Sequence, residues 1–174
     1  MCRLSKILVI STCVGGFCGW LSRTLCDQRN LEISEYMNKL ELENLVEIRI
    51  KEADVLLNSE CFQGAYYLIG YALECALKAC ISKQVKAFDF PNKRLANASH
   101  THKLSELVGV AGLKQKLSEQ ENIDENFKLN WAVAKDWSEV SRYDCFVEEN
   151  KAKDLYEAIT DNKSGILAWL KKYW

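Results

Sequence analysis

The residues of this chain that could take part in acid–base or phosphate chemistry are two histidines and a few arginines. His100 and His102 flank the start of a predicted helix, and Arg94 precedes His100 by six positions. A histidine can take the proton of a ribose 2′-hydroxyl while an arginine stabilises the charge that develops at phosphorus. Metal-independent RNA cleavage is therefore one hypothesis. The alternative is that Arg94 lies in a loop after Pro91 and that His102 is a structural residue near a helix end.

Arg142 and Tyr143 form a second candidate pair. An arginine can hold a phosphate through two parallel hydrogen bonds, and a neighbouring aromatic ring can stack on a base. The structural alternative gives Arg142 a carboxylate partner and packs Tyr143 on Trp137. Trp131 and Trp137 could themselves form a stacking platform, but their spacing favours burial in a core.

No sequence motif indicates a metal, a cofactor or a common catalytic centre. The chain has no CxxC pair, no glycine-rich phosphate loop, no HExxH and no GxSxG. We therefore predict neither cofactor nor metal, and the sequence leaves open whether the protein is an enzyme.

The element that must position these residues is the apolar segment CFQGAYYLIGYALECALKACI, residues 61–81. Its polar side chains recur at steps of four, three and four, which places them on one face of a helix. These residues, called the polar stripe below, are Tyr67, Tyr71, Glu74 and Lys78. Because the other sides of the segment are apolar, neighbouring helices must cover them, and we predict that it forms the centre of a helical bundle.

Arg49 lies on the apolar face of the preceding predicted helix and needs a partner there. Glu74 is one candidate, across an antiparallel pair of helices. The alternative is that Glu74 pairs with Lys78, four residues on, on a solvated face. The candidate binding residues are Arg49, Glu74, Lys78, His102, Arg142 and Tyr143.

The remaining pattern predicts an all-α fold, an up-and-down bundle of four to five helices. Eight glycines and one proline are too few for the frequent turns of an all-β domain. We predict helices over 34–58 or 37–58, 62–83, 101–120 with an interruption at Gly112, from about 124, and over 149–174 with a bend at Gly165. Residues 84–101 are predicted to form a loop.

The composition of the chain limits which classes of partner it can bind and indicates the cellular compartment in which it folds. The chain carries 23 basic and 24 acidic residues, so it has no overall basic field and any nucleic-acid contact must be local. The cysteines of residues 37–174 do not form a disulfide pattern, and we interpret Cys61, Cys75, Cys80 and Cys145 as small buried side chains in a reducing compartment.

Residues 1–36 form a leader that differs from residues 37–174, the predicted helical domain. Arg3 and Lys6 precede a short apolar run, as in a secretory signal or a membrane anchor. Met37 stands directly before the first clear helical pattern, so a start codon set too far upstream is another interpretation, and a genuine additional helix is a third. We predict a cytoplasmic protein without a membrane partner unless the leader is real, in which case the protein is anchored or exported.

Five segments of this sequence together resemble the HEPN domain superfamily. They are RIKEADVLL at 49–57, FQGAYYLIGYALECALKA at 62–79, THKLSEL at 101–107, NW at 130–131 and RY at 142–143. The resemblance covers roughly residues 37–174 and is strongest in GAYYLIGYALECALKA and the following His-x-Leu. It implies an up-and-down helical bundle that is usually a homodimer, in bacterial or archaeal defence and toxin–antitoxin systems.

Active HEPN proteins are ribonucleases with an arginine followed, after four to six residues, by a histidine. Only Arg94 with His100 matches this spacing here, and the pair precedes the third predicted helix, whereas the family motif lies on a late helix. Arg142 lies nearer the usual region, without a following histidine. The resemblance therefore favours a member that binds RNA or a nucleotide without the standard catalytic motif.

Two alternatives stay open. One is a divergent ribonuclease toxin that uses Arg142 and Tyr143, with His102 and Glu74. The other is a non-catalytic adaptor that pairs with a nucleotidyltransferase-like protein.

Overall fold

The computed structural model describes residues 37–85 and 92–174. These residues form eight α-helices and one short 3₁₀ helix, with no strand among them. The helices are α1 (Lys39–Asn58), α2 (Phe62–Ser82), α3 (Lys93–Ser99), α4 (Leu104–Val110), α5 (Lys114–Ile123), α6 (Glu125–Ala134), the 3₁₀ helix (Glu139–Tyr143), α7 (Glu149–Thr160) and α8 (Ile166–Leu170). The all-α prediction is confirmed, while eight helices replace the predicted four to five. The predicted leader, 1–36, lies outside the described residues.

α1 and α2 form an antiparallel hairpin. The side chain of Asn38 accepts the backbone N–H of Glu41, and the Glu41 carboxylate accepts the N–H of Asn38, so that α1 begins with a capping box. The hairpin turns through Glu60, whose φ of 59° lies in the left-handed region.

α2 is the central element, as its apolar composition predicts. It packs against α1, α4, α7, α8 and the 3₁₀ helix. Side chains such as Ile69, Leu73 and Leu77 are completely buried, because helices cover most of the circumference of α2. The less covered positions of α2 include Tyr67, Tyr71 and Lys78 of the polar stripe, while Glu74 is buried.

Three segments differ from their predicted structure. Residues 93–99, predicted as loop, form α3, which begins where the Asn92 side chain accepts the N–H groups of Arg94 and Leu95. The third predicted helix is two helices, α4 and α5, because Gly112 takes a φ of +72° and turns the chain between them.

The last predicted helix is also two, α7 and α8. The Asp161 side chain accepts the N–H groups of Lys163 and Ser164, which ends α7 in a turn. At Gly165 a Cβ would lie 2.2 Å from the Asp161 carbonyl oxygen, so glycine is needed for this close turn.

Aromatic side chains also fill the core. Trp131 and Trp137 are buried, as the core interpretation predicts, and Phe127 packs on Trp169 with ring centroids 5.4 Å apart. Among residues 37–85 and 92–174, no helix has the length and apolar character needed to cross a bilayer.

The cysteine interpretation is half right. Cys75 and Cys80 are buried on α2, but Cys61 and Cys145 are exposed. All four are free thiols. Cys61 belongs to the apolar sequence segment but is exposed, because it lies in the α1–α2 turn just before the first residue of α2.

Candidate functional site

The polar stripe carries a buried carboxylate at its centre. Glu74 is 1% exposed, and its Oε1 accepts a hydrogen bond from Lys78 Nζ at 2.8 Å. His102, in the segment before α4, places Nδ1 3.0 Å from Oε1 and 3.1 Å from Oε2 of the same carboxylate. A buried carboxylate is stable only when charged or polar partners replace its hydration. Lys78 and His102 supply those partners.

This contact holds the His102 ring in one orientation. Because a carboxylate only accepts hydrogen bonds, Nδ1 carries the hydrogen that points to Glu74, and Nε2 is left for another partner. The His102 side chain is 46% exposed. An oriented and accessible imidazole can accept a proton from a bound hydroxyl or hydrogen-bond to a phosphate.

Arg49 does not pair with Glu74, which corrects one of the two sequence interpretations. Its Nη1 contacts Glu52, one turn further along α1, and its Nε is buried with no hydrogen-bond partner among the described residues. The other interpretation identified Lys78 correctly as a partner of Glu74 but placed the pair on a solvated face, whereas Glu74 is buried. Neither interpretation foresaw His102, which is 28 residues from Glu74.

Two tyrosines extend the stripe towards the start of α2. The rings of Tyr67 and Tyr71 are parallel to within 3° and their centroids are 6.1 Å apart. Burial, with smaller contributions from the Cys75 thiol and the Glu74 carboxylate, raises the pKa of Tyr71 to about 12. The Tyr71 hydroxyl therefore stays protonated at neutral pH and can donate a hydrogen bond.

Arg142 and Tyr143 lie at this same end of the stripe. The Arg142 guanidinium carbon is 4.9 Å from the centroid of the Tyr143 ring, and Tyr143 is 71% exposed. Contact with Tyr143 and, to a smaller extent, with Tyr67 raises the pKa of Arg142 above its usual value. The guanidinium is thus next to Tyr67 of the stripe.

The structural alternative for this pair does not hold. The ring that packs on Trp137 belongs to Tyr67, with centroids 6.3 Å apart, and not to Tyr143. No carboxylate within residues 37–85 or 92–174 forms an ion pair with Arg142. Both side chains are therefore available to a ligand.

Two contacts fix the 3₁₀ helix that carries Arg142 and Tyr143. The Trp137 indole occupies the space beside Gly70, where a Cβ would come within 2.2 Å of its Nε1. Gln63 Nε2 donates a hydrogen bond of 2.9 Å to the carbonyl of Cys145, just after the 3₁₀ helix. These contacts hold the segment that carries Arg142 and Tyr143 against the start of α2.

These contacts define one surface, called the stripe surface below. It consists of Tyr67, Tyr71, Glu74, Lys78, His102, Arg142 and Tyr143. It combines a guanidinium, an ammonium, an oriented imidazole, phenol hydroxyls and an exposed aromatic ring. Arg94 and His100 are not part of it, since both are exposed on or just after α3 without a side-chain partner among the described residues.

The described residues contain no group of three or more His, Cys, Asp or Glu side chains arranged to hold a metal ion. Comparison of the sequence with protein-family models gives no match, and comparisons with curated proteins and with solved structures give no significant match.

Proposed function

We propose that this chain is a HEPN-like domain that binds RNA or a nucleotide at the stripe surface. The observation that carries the proposal is that Arg142 and Tyr143, the polar stripe and His102 come from three separate parts of the sequence and lie together on one side of α2. The resemblance in residues 37–174 favours the same class of ligand.

The chemistry of the surface divides into phosphate and base contacts. Arg142 is exposed and has no carboxylate partner in the described part of the chain, so its guanidinium can receive a phosphate. The exposed ring of Tyr143 can stack on a base at little entropic cost. Lys78 and the Nε2 of His102 provide further contacts for a phosphate or a ribose hydroxyl.

The proposal can be tested by fluorescence anisotropy of a labelled single-stranded RNA at 100 mM salt, with ATP as competitor. We expect Tyr143→Ala to weaken binding by about 1 to 3 kcal/mol, because one stacked base is lost. Tyr143→Phe keeps the ring and should retain the affinity. Arg142→Ala should weaken binding about tenfold and reduce its salt dependence by roughly one phosphate contact.

Arg94→Ala is the matched control, because it removes an exposed arginine that lies on α3 and outside the stripe surface. Equal affinities of the parent, Arg142→Ala and Tyr143→Ala would place binding elsewhere. If the protein bound neither RNA nor ATP, the proposal would fail, and an adaptor that pairs with a nucleotidyltransferase-like protein would be favoured.

The contact between Glu74 and His102 favours ribonuclease activity as a second candidate function. His102 Nε2 would accept the proton of a ribose 2′-hydroxyl, the 2′-oxygen would bond to phosphorus, and the 5′-oxygen would leave and take a proton from water. Expression in bacteria followed by inspection of total RNA tests this candidate. RNA fragments produced by the parent and by Arg94→Ala, but not by His102→Ala, would support it, whereas intact RNA with the parent would exclude it.

A further inference from the structure

A basic cleft lies on the side of α2 away from the stripe surface. It encloses about 410 Å³ between the end of α2, the turn from α4 to α5 and the end of the chain after α8. Its polar lining comprises Lys83, Gln84, Lys116, Lys172 and Tyr173. Because successive residues of an α-helix are about 100° apart, Cys80, which also lines the cleft, is about 200° from Lys78 around α2.

The cleft concentrates positive charge on a chain that is slightly acidic. Three lysines line it, and no carboxylate is among its lining residues. Lys116 and Lys172 form no ion pair with any residue of 37–85 or 92–174. Lys83 Nζ already contacts backbone oxygens at the end of the chain, so an anion in the cleft would chiefly stabilise the ammonium groups of Lys116 and Lys172.

Hydrogen bonds connect the segments that form the walls of the cleft. Gln84 Nε2 donates a hydrogen bond of 2.9 Å to the carbonyl of Val110, which ties the end of α2 to the turn after α4. Lys83 Nζ lies 3.3 Å from the backbone oxygens of Tyr173 and Trp174. A ligand would therefore not have to order these segments, and this lowers the entropic cost of binding.

An aromatic ring forms part of the wall. Lys116 Nζ is 4.4 Å from the centroid of the Tyr173 ring. The Tyr173 ring packs edge-on against the buried Trp169, with ring centroids 5.2 Å apart. Tyr173 is thus held by the core and positions Lys116 at the rim. The cleft thus combines basic side chains with an aromatic ring, as do grooves that bind single-stranded nucleic acids.

We propose that this cleft is a phosphate-binding site, separate from the stripe surface, that receives the phosphate groups of a nucleotide or of an RNA strand. Lys116 and Lys172 contact the phosphate oxygens, and Lys83 adds its charge from the inner wall. The volume of the cleft is within the usual range for small-molecule sites and accommodates a chain of phosphates.

The test is calorimetric titration of the full chain with inorganic tripolyphosphate, at 50 and 200 mM salt. We expect binding that weakens with salt, because exposed lysines are screened. Each of Lys116→Gln and Lys172→Gln should lower the affinity about threefold to fivefold, as for exposed ionic contacts, and the double variant about tenfold or more. Lys135→Gln is the matched control, since Lys135 is exposed at the end of α6, away from the lining of the cleft.

A second arm separates the two sources of phosphate. Titration with ATP and with a single-stranded RNA, for the parent and for the double variant, shows which of them loses affinity when the lysines are removed. Loss for either ligand supports the proposal. The proposal is wrong if tripolyphosphate does not bind, or if it binds the double variant as tightly as the parent. Because Arg142 and Tyr143 are intact in these variants, this result does not depend on the outcome at the stripe surface.

Discussion

At the scale of single residues, the buried carboxylate of Glu74 determines which side chains lie at the centre of the stripe surface. A carboxylate at 1% exposure needs partners, and the two that it has, Lys78 and His102, come from its own helix and from the segment before α4. The Lys78 pair is local and would form in α2 alone. The His102 pair forms only when α2 and α4 are packed together, so it links the orientation of the imidazole to the tertiary fold.

A double-mutant cycle should measure the interaction between Glu74 and His102 as a coupling energy. We expect Glu74→Gln and His102→Gln each to lower the free energy of unfolding, and the cycle to give a coupling of about 1 to 3 kcal/mol, since the carboxylate on one side of the contact is buried. Urea unfolding of the parent, the two single variants and the double variant measures it. The exposed pair Lys103 and Glu106 is the control cycle, with an expected coupling below about 0.5 kcal/mol. Equal couplings in the two cycles would contradict the structural link.

The sequence predicts part of this site for a clear reason. The stripe residues share a helix face, which the 3.6-residue period alone determines, and α2 departs from its predicted end by a single residue. The contact of His102 with Glu74 depends instead on the path of the chain between α2 and α4. The interpretation that pairs Arg49 with Glu74 follows from the position of Arg49 on an apolar face, yet Glu52 lies within reach on α1.

At the scale of helices, glycines account for the main errors in the predicted boundaries. Gly112 and Gly165 were predicted as an interruption and a bend, and each marks the end of one helix and the start of another. Across Gly165 the buried positions Ile166 and Trp169 continue the helical spacing of α7, so a pattern of buried residues does not distinguish one bent helix from two short ones there. α3 has no buried residue, and its only local signal is the cap at Asn92.

Gly70 is a third glycine with a structural role, in the contact between α2 and the 3₁₀ helix. We expect Gly70→Ala to lower the free energy of unfolding by about 1 to 3 kcal/mol, because the new Cβ would overlap the Trp137 indole. This loss should outweigh the gain of up to about 1 kcal/mol that alanine gives within a helix. Urea unfolding monitored by circular dichroism gives the difference.

Gly109→Ala is the control for that experiment. Its Cβ would approach only the Lys114 side chain, at 2.6 Å from Cε, and this exposed and flexible side chain can move away. The substitution should leave stability unchanged or raise it slightly, since alanine favours the helix. A Gly70→Ala protein as stable as Gly109→Ala would mean that the 3₁₀ helix does not pack on α2 as described.

At the scale of the whole molecule, the distribution of charged residues indicates binding sites that the net charge does not. The chain has one more acidic than basic residue, and on that ground the sequence excludes an overall nucleic-acid-binding field. The fold nonetheless brings Lys83, Lys116 and Lys172 to one cleft. No sequence pattern could indicate this grouping, because these lysines come from three segments, the end of α2, α5 and the residues after α8, that meet only in the folded chain.

The acidic and basic groups of the molecule are mostly exposed, while several weakly acidic groups are buried. Burial raises the pKa of the Cys75 thiol to about 11 and that of the Cys80 thiol to about 11, from an ordinary value of 9.0 for each. It also raises the pKa of Tyr71 to about 12, from 10.0. In each case the folded protein holds a proton that the unfolded chain releases at lower pH.

The free energy of unfolding should therefore decrease at alkaline pH. Below about pH 8 both states are protonated and the free energy of unfolding is insensitive to these groups. As the pH rises from about 8 to 12, the unfolded chain ionises first, and the loss should reach roughly 1 to 3 kcal/mol for each buried thiol.

Urea unfolding at intervals between pH 7 and pH 11 measures this slope, and substitution assigns it. Cys75→Ala removes one titrating thiol while keeping a small apolar side chain, so its stability should decline less steeply above pH 9 than that of the parent, whatever its stability at pH 7. Tyr71→Phe should reduce the decline only above about pH 10, where the unfolded phenol begins to ionise. The same slope in Cys75→Ala, Tyr71→Phe and the parent would show that these groups are not protected from water in the folded protein, and that α2 is not the covered centre of the bundle.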